Sequence, residues 1–341
     1  MKNTIKNNPK DLLFFKNLVI DSYSKDWLID KFIVFKSLNN ILYLIYSNNN
    51  KSIISYNIID NKKINEIKNA HNDYISSFRY YLDNINQRDL IISLSSNLHY
   101  YNIKLWNINN FELILNIQNI SNYAYLKSAS FLNDNNKIYI ITCFVIYNKN
   151  NKEPIKVFDF KGNKIKEINE SEDNAYYINN YYDNDLLKNY ILTGNSGYIK
   201  SYDYNENKIY HKYSEKNNIS GDGHISIIIN KKKEIIELID SCCDGNIRIW
   251  NFHSGIFLRI INVSKEGLRE ICMWNNEYLL VGCDDKAIKL INLNNGKIIK
   301  EIEGHNNKVL SLKIIFHPLY EKCLISQGAD FEPIKLWITK K

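Results

Sequence analysis

The amino-acid sequence predicts an all-β fold in which one unit of short strands is repeated along the whole chain. The clearest copies are Leu238–Trp250, Tyr278–Ile291 and Cys323–Trp337. Each reads as an apolar strand, a tight turn that carries Asp, and a second strand that ends on a large apolar residue. A Gly-His pair precedes two of them, at positions 223–224 and 304–305. A recurrence of this size indicates a repeat architecture, in which surfaces matter more than a single cleft.

The large residue that ends each copy marks the repeats, and successive markers lie roughly 40 to 50 residues apart. Four short antiparallel strands in each of seven units predict a seven-bladed β-propeller. The seven markers are Tyr56, Trp106, Phe158, Tyr202, Trp250, Ile291 and Trp337. Apolar strands precede most markers, as in Ile41–Tyr46, Leu90–Leu94 and Tyr190–Thr193. A further strand follows each marker but the last, at Lys63–Ile67, Glu112–Ile117, Lys164–Ile168, Lys208–Tyr213, Ile256–Ile261 and Lys297–Ile302.

The two ends of the sequence complement each other. The seventh unit stops shortly after Trp337 and lacks its fourth strand, whereas a spare strand is predicted near Phe14–Ser22, ahead of the first unit. An open ring would expose unpaired strand edges, so we expect the N-terminal strand to complete the last blade and close the ring. We predict one propeller domain over residues 11–341, with no linker or second domain, and a disordered segment over residues 1–10.

Composition narrows the class of protein. The 341 residues are 45% hydrophobic and carry a formal net charge of +7. The basic residues are spread over the whole length, which favours weak attraction to anions and little more. No apolar run approaches the ~20 residues of a membrane span, and no signal-peptide pattern is present. The 6 cysteines form no CxxC pair, so we expect free thiols and an intracellular location, in the cytoplasm or the nucleus.

The repeats resemble those of the WD40 (β-transducin) family. The last three units match best, and Trp106 anchors a fourth. No unit carries the Trp-Asp dipeptide itself, and Trp250-Asn251 and Trp106-Asn107 come nearest to it. Units one, three and four are degenerate, because their third strands end in other aromatic residues.

The resemblance implies a hydrogen-bonded set within a blade: a His before the first strand, a Ser or Thr on the second, an Asp in the following turn, and the Trp. The two implied sets are His224, Ser241, Asp244 and Trp250, and His305, Ser326, Asp330 and Trp337. The alignment at Ser241 is open by one residue, with Asp240 beside it. Such a set satisfies buried polar groups, so we expect blades one, three and four, which lack it, to be the least stable.

Catalytic and metal-binding interpretations of the same residues fit less well. His, Ser and Asp also compose a hydrolase triad, but the spacing recurs in two units and no GxSxG elbow is present. Cys242 and Cys243 are adjacent on a strand and so point to opposite faces, which prevents them from sharing a metal ion. The sequence has no Gly-rich phosphate loop. We therefore expect no enzyme activity, no metal and no cofactor.

The resemblance implies a non-catalytic scaffold or adaptor that binds partner proteins or peptides on a propeller face, within a multiprotein complex. Loops before the first strands, and turns between the second and third strands, can vary to fit a partner. Two alternatives remain open: a basic propeller that binds nucleic acid or acidic lipid, and a propeller enzyme with a site in the central channel. Candidate partner-binding residues are Asp73, Tyr74, Asp222, Ser226, Arg269, Asn307 and Lys308.

Overall fold

A computed structural model of the chain shows seven four-stranded antiparallel sheets arranged as the blades of a ring. The structure describes residues 8–19, 22, 31–48, 51–96, 101–118, 120–121, 124–146, 153–168, 174–215 and 223–340. In blades 1 to 6 the strand order within the sheet follows the chain order, from the inner strand beside the central channel to the outer strand at the rim. The predicted fold class is confirmed.

Blades 1 to 3 use twelve consecutive strands, four to a blade. Blade 1 contains β2 (Phe32–Lys36), β3 (Leu42–Ser47), β4 (Ile53–Asn57) and β5 (Lys62–Ile67). Blade 2 contains β6 (Ile75–Asp83), β7 (Arg88–Ser96), β8 (Tyr101–Asn107) and β9 (Glu112–Gln118). Blade 3 contains β10 (Ala124–Asp134), β11 (Lys137–Ile146), β12 (Ile155–Phe158) and β13 (Lys164–Ile168).

Blades 4 to 6 repeat the same order. Blade 4 contains β14 (Ala175–Asp183), β15 (Lys188–Asn195), β16 (Ile199–Asp203) and β17 (Lys208–Tyr213). Blade 5 contains β18 (His224–Lys231), β19 (Ile236–Cys242), β20 (Asn246–Asn251) and β21 (Phe257–Asn262). Blade 6 contains β22 (Leu268–Met273), β23 (Tyr278–Cys283), β24 (Ile288–Asn292) and β25 (Ile298–Ile302).

Blade 7 combines strands from both ends of the chain. Its three inner strands are β26 (Val309–His317), β27 (Glu321–Gly328) and β28 (Ile334–Thr339), and its outer strand is β1 (Leu12–Val19). β1 pairs antiparallel with β28, from Leu12 opposite Thr339 to Val19 opposite Ile334. The predicted closure of the ring by an N-terminal strand is therefore confirmed, and β1 begins two residues before the predicted start at Phe14.

The segment ahead of β1 is described only in part. Residues 1–7 of the predicted disordered segment lie outside the described residues. A 3-10 turn, Pro9–Asp11, leads into β1, and the Pro9 side chain is buried. Disorder therefore stays a prediction for residues 1–7, whereas Pro9–Asp11 is ordered as a 3-10 turn.

The apolar side chains are buried between adjacent blades, because each sheet packs on both of its faces. The described residues form seven apolar clusters, and each cluster draws on two neighbouring blades. In β7, Leu90, Ile92 and Leu94 pack toward blade 3, whereas Ile91 packs toward blade 1. Because successive side chains of a strand point to opposite faces, burial of both faces produces the continuous apolar runs seen in the sequence. β1 contributes to the clusters on both sides of blade 7.

Asparagine makes many of the turns between these strands. Non-glycine residues with positive φ concentrate at Asn, which adopts the left-handed backbone conformation more readily than most side chains. Examples are Asn40 (φ 60°), Asn61 (φ 56°), Asn136 (φ 64°) and Asn207 (φ 57°).

A basic residue recurs two positions before the marker on the third strand of blades 2 to 7. In four blades its ammonium group donates to a backbone carbonyl of the loop that leads into the same blade, so it ties that loop to the sheet. The donors and acceptors are Lys104 Nζ and Ala70 O (2.6 Å), Lys156 Nζ and Ile120 O (2.6 Å), Lys289 Nζ and Val263 O (3.2 Å), and Lys335 Nζ and Gly304 O.

Two adjacent residues of β1 test the closure of the ring. Leu12 is fully buried between blades 6 and 7, whereas Leu13 is 48% exposed. Leu12→Ala should lower the free energy of unfolding by about 2 to 5 kcal/mol, because it leaves a cavity in the packed interface. Leu13→Ala should change it by less than ~0.5 kcal/mol. Urea unfolding of both variants checks this, and equal losses would contradict the position of β1.

Candidate functional site

The loops of the propeller form two faces. We define the upper face by the loops that precede the first strands and by the turns between second and third strands. The lower face is formed by the turns between first and second strands and between third and fourth strands. The sequence predicts every candidate partner-binding residue in or just past the loops of the upper face.

In blade 7 a chain of hydrogen bonds joins the marker tryptophan to the loop before the blade. The Trp337 indole donates to Ser326 Oγ (2.6 Å), and the Ser326 hydroxyl donates to His305 Nε2 (2.7 Å). His305 Nδ1 then donates to the Glu332 carboxylate. This order of donors assigns the neutral Nδ1–H tautomer to His305. Three of the four implied residues are therefore brought together.

The fourth residue of this set was misassigned from the sequence. Asp330 accepts from Asn307 Nδ2 (2.9 Å) instead, and Glu332 takes the place next to His305. Asp330 has φ 60°, a left-handed conformation at which the backbone turns. Its side chain is therefore not directed at His305. A longer acidic side chain two residues later reaches the imidazole.

The glycine of the Gly-His pair also has a structural role in this blade. Gly304 has φ 140°, and a β-carbon built there would lie 2.8 Å from Trp337 Cη2. A side chain at this position would push the tryptophan out of place, so the position requires glycine. The loop therefore passes directly over the indole that anchors the hydrogen-bond chain.

Blade 5 uses Asp240 where blade 7 uses Ser326. The Trp250 indole donates to Asp240 Oδ2 (3.1 Å), and His224 Nδ1 donates to Asp240 Oδ1 (2.8 Å). The predicted Ser241 and Asp244 are not part of this set. Ser241 Oγ donates to Arg269 O (2.6 Å), and Asp244 accepts from Arg248 and from the Asn246 backbone N–H.

Strand register explains the correction in blade 5. The marker lies opposite the residue two places before the acceptor, so Trp250 faces Leu238 and Trp337 faces Leu324. Side chains two residues apart on a strand point to the same face of the sheet. Asp240 and Ser326 therefore occupy equivalent positions beside their tryptophans, whereas Ser241 points to the opposite face.

A third set, in blade 2, was missed from the sequence. Trp106 donates to Ser93 Oγ (2.8 Å), the Ser93 hydroxyl donates to His71 Nε2 (2.7 Å), and His71 Nδ1 donates to Asn102 Oδ1 (2.5 Å). Ala70 replaces the expected glycine, and Asn102 replaces the expected acid. The combination of a marker tryptophan with a His in the preceding loop was the available signal.

Five of the seven candidate partner-binding residues fall into two groups on the upper face. Near blade 2, the Lys51 ammonium group donates to Asn72 O (2.7 Å) and lies 5.8 Å from the centre of the Tyr74 ring. Asp73 accepts from the backbone N–H of Tyr74 (2.7 Å). Both candidates are half-buried and fixed in their loop.

The second group lies where blades 6 and 7 meet. Arg269 donates from Nε and Nη2 to the two carboxylate oxygens of Asp284, at 2.6 and 2.8 Å. The Lys308 ammonium group lies 3.7 Å from the same carboxylate. Asn307, next to Lys308, binds Asp330. We call Arg269, Asp284 and Lys308 the upper ion cluster.

Two candidates do not belong to either group. Ser226 is on β18, buried, and part of the lining of the central channel. The sequence predicts it in or just past the loop before blade 5, and the first strand of that blade begins two residues before it, at His224. Asp222 lies outside the described residues.

The inner strands of all seven blades line a central channel that contains a cavity of about 630 Å³. The Arg79 guanidinium lies 5.6 Å from the centre of the Tyr177 ring, and Lys313 pairs with Glu270 across blades 7 and 6. Burial raises the pKa of the Cys272 thiol in this lining, which keeps it from acting as a thiolate. Within the described ranges, no group of three or more His, Cys, Asp or Glu side chains could hold a metal ion.

The part of the chain that the structure describes contains no helix long and apolar enough to cross a lipid bilayer.

Comparison with known proteins gives two local similarities, and no family model matches the chain. The chain is 25% identical over 124 residues, 36% of its length, to a U3 small nucleolar RNA-associated protein 21 homolog of Schizosaccharomyces pombe. It is 25% identical over 118 residues, 34% of its length, to a probable coatomer subunit beta' of the same yeast. The matched segments span only 13% and 14% of those two proteins. With the seven blades, these weak similarities to WD-repeat proteins support the predicted WD40 resemblance.

Ser93 is the residue on which the newly found set depends. Ser93→Ala removes the acceptor for Trp106 and the donor for His71, and should lower the free energy of unfolding by about 1 to 3 kcal/mol. Ser95, on the same strand and also buried, is the matched control, and Ser95→Ala should cost less, because the hydrogen bonds of Trp106 and His71 go to Ser93 and not to Ser95. Denaturant unfolding of both variants checks the difference. Similar losses would mean that the set does not stabilise the blade.

Burial makes the stability depend on pH through His71. Desolvation lowers the pKa of His71 from its ordinary 6.5 to about 3. Below pH 6.5 His71 is therefore protonated in the unfolded chain but stays neutral in the folded chain, so the free energy of unfolding decreases as the pH falls toward 3. Between about pH 7 and about pH 5 this residue should contribute a loss of about 2 kcal/mol.

The variant His71→Gln isolates this contribution. It cannot titrate, so its free energy of unfolding should fall by about 2 kcal/mol less than that of the wild type between about pH 7 and about pH 5. Urea unfolding at both pH values gives the comparison. An unchanged pH dependence would show that His71 is not buried in its neutral form.

Proposed function

We propose that this propeller of the WD40 type is a non-catalytic scaffold or adaptor, which binds partner proteins or peptides on its upper face. The observation that carries the proposal is the upper ion cluster, a set of partly buried charges fixed at the junction of two blades. Its Lys308 side chain is 34% exposed, whereas Asp284 is 13% exposed. Charges held in place before binding lose little conformational entropy when a partner arrives.

The histidine sets support a structural role in place of catalysis. His71, His224 and His305 are each buried and bonded within their own blade. His71 and His305 hold the loops before blades 2 and 7 in position, His224 fixes the start of β18, and none of these three lines the central channel. The same residues that resemble a hydrolase triad in the sequence therefore support the rigidity of a binding surface.

The two relatives support a place within an assembly. One is named as associated with a small nucleolar RNA, and the other is named as a subunit of coatomer. Because the similarity covers about a third of this chain, we carry over only the general role, a subunit of a multiprotein complex. All six cysteines are free, which fits an intracellular place of action, in the cytoplasm or the nucleus.

Binding of nucleic acid or acidic lipid is less well supported than binding of proteins. The charge of +7 counts basic residues that are buried on third strands. Because these side chains are buried, they cannot form part of a basic surface patch that would bind phosphate groups. The buried ones are Lys156, Lys200, Arg248, Lys289 and Lys335.

A charge reversal in the upper ion cluster tests the proposal. The tagged chain is purified from its own cells at moderate salt, and co-purifying proteins are quantified by mass spectrometry. Lys308→Glu should reduce the recovery of stoichiometric partners by about tenfold, because it repels Asp284 and inverts an exposed charge of the binding face. Lys231→Glu, which inverts an exposed charge at the lower face, should leave recovery unchanged.

Two results would contradict the proposed function. Recovery of the chain without any co-purifying protein in stoichiometric amount would contradict a scaffold function. Recovery of nucleic acid or lipid alone, released by added salt, would favour the basic-propeller alternative.

A further inference from the structure

The outer strand of blade 7 exposes apolar side chains at its lower end. Leu12 lies opposite Thr339, at the end of β28, so β1 begins at the lower face and runs toward the upper face. The next three residues, Leu13, Phe14 and Phe15, are 40 to 50% exposed. A run of three exposed apolar side chains is unfavourable on a surface that stays in water. This end of β1 is therefore a candidate for a surface that is covered in an assembly.

Two turns of the lower face extend this apolar surface. The Phe15 ring packs on the Tyr320 ring, with centroids 4.9 Å apart, so β1 meets the turn between β26 and β27. Leu319, beside Tyr320 in that turn, is 63% exposed. On the other side, Lys16 donates to Asn61 Oδ1 (2.8 Å), which joins β1 to the turn between β4 and β5. We call this surface the lower apolar rim, and it consists of Leu13, Phe14, Phe15, Ile59, Leu319 and Tyr320.

The low charge of β1 favours a second copy of this chain as the occupant of the rim. Lys16 is the single charged residue of β1, and its bond to Asn61 draws the ammonium group toward blade 1. The outer strand of blade 5 differs, since Arg259 lies within its apolar run. An uncharged apolar surface is complementary to itself, which a two-fold interface requires, because the same patch then lies on both sides. Interfaces of homodimers are also more apolar than those between transient partners.

The area of the rim matches what one interface needs. At about 200 Å² for a fully exposed large side chain, its exposed residues present about 500 Å² of apolar surface. A standard interface covers about 800 Å² on each partner, and in a homodimer about two thirds of that, or about 500 Å², is apolar. By the same measure, Ile256 and the exposed apolar residues of β21 present about 350 Å². The lower apolar rim is thus the larger of the two surfaces, and it is large enough for one two-fold contact.

The edge of β1 is irregular, which limits how a second copy can approach. Its pairing with β28 shifts register between Phe14 and Lys16 and again between Asn17 and Val19. Such bulges twist an edge strand away from further strand pairing. Contact through the rim is therefore made by side chains, and a two-fold arrangement closes after two copies instead of growing into a filament.

We propose that the lower apolar rim is the interface of a two-fold homodimer, in which the rim of one copy packs on the rim of the other. Phe14 and Phe15 supply aromatic side chains of the kind that is enriched in interfaces. Because the rim lies at the lower face, both copies keep their upper face and its upper ion cluster accessible. The inference goes beyond the proposed function, since it adds a surface on which this chain recognises itself and brings two upper faces into one assembly.

Sedimentation velocity of the purified full chain tests the dimer. The chain should sediment as a dimer at about 10 µM, since interfaces of standard size reach micromolar affinity or better. Leu13→Glu and Leu319→Glu should each weaken dimerisation by about tenfold or more, because each buries a carboxylate at an apolar contact. The two residues belong to different elements of blade 7, so a shared effect locates the interface at the rim.

The matched control is Leu258→Glu on β21, the same substitution at another outer strand, where the wild-type side chain is 41% exposed. Leu258→Glu should leave dimerisation unchanged. Urea unfolding of all three variants, far below the concentration at which the chain dimerises, checks that each variant is folded. The comparison of Leu12→Ala with Leu13→Ala belongs at the same low concentration, where it reports on the monomer.

Several results would overturn the dimer interface. A chain that stays monomeric at about 100 µM would show that the rim does not bind a second copy. A dimer that both rim variants leave intact, or that Leu258→Glu weakens as much as Leu13→Glu does, would place the contact elsewhere. A monomer that carries a different protein, lost in Leu13→Glu, would assign the rim to that protein. None of these results bears on the upper face, which Lys308→Glu tests separately.

Discussion

Closure of the ring by β1 is the constraint on which the rest of the structure depends. Each blade buries apolar side chains on both of its faces, and each of the seven clusters needs two neighbouring blades. A propeller with an incomplete last blade would leave two of these clusters open, because β1 contributes to both. The pairing of β1 with β28 thus holds together the first and last parts of the chain, and it removes the exposed third-strand edge that blade 7 would otherwise present.

A rigid ring gives its loops a fixed base, and two kinds of polar contact hold the loops to that base. Hydrogen-bond chains through His71 and His305 join two loops to the marker tryptophans of blades 2 and 7, and the chain through His224 joins the start of β18 to Trp250 in blade 5. Buried basic residues on the third strands do the same through backbone carbonyls. Both satisfy polar groups that would be costly to bury alone. The upper face can therefore vary in sequence at its exposed positions without loss of the fold.

Sequence reasoning predicted the architecture well, because blade number, strand order and closure follow from a pattern repeated seven times. Individual site residues were predicted less well, because they depend on register and on side-chain reach. Asp240 replaced Ser241 through a shift of one residue, which reverses the face of a strand. Glu332 replaced Asp330 because the backbone turns at positive φ there. The set at His71 was not predicted, because Ala70 and Asn102 occupy the positions where the pattern has glycine and an acidic residue. The basic residue two positions before each marker was visible in the repeats. The backbone carbonyls that it binds were not, because they lie in loops that are distant in sequence.

Hydrogen exchange across β28 tests the central claim, that the N-terminal strand closes the ring. The measurement compares the intact chain with a chain that begins at residue 22, after β1. Our account predicts that the amides of β28 are protected in the intact chain, and that this protection falls sharply in the shortened chain, with a smaller loss in the neighbouring strands of blade 7. Equal protection of β28 in both chains would contradict the account, because the third strand of blade 7 would then be stable without the strand that completes it.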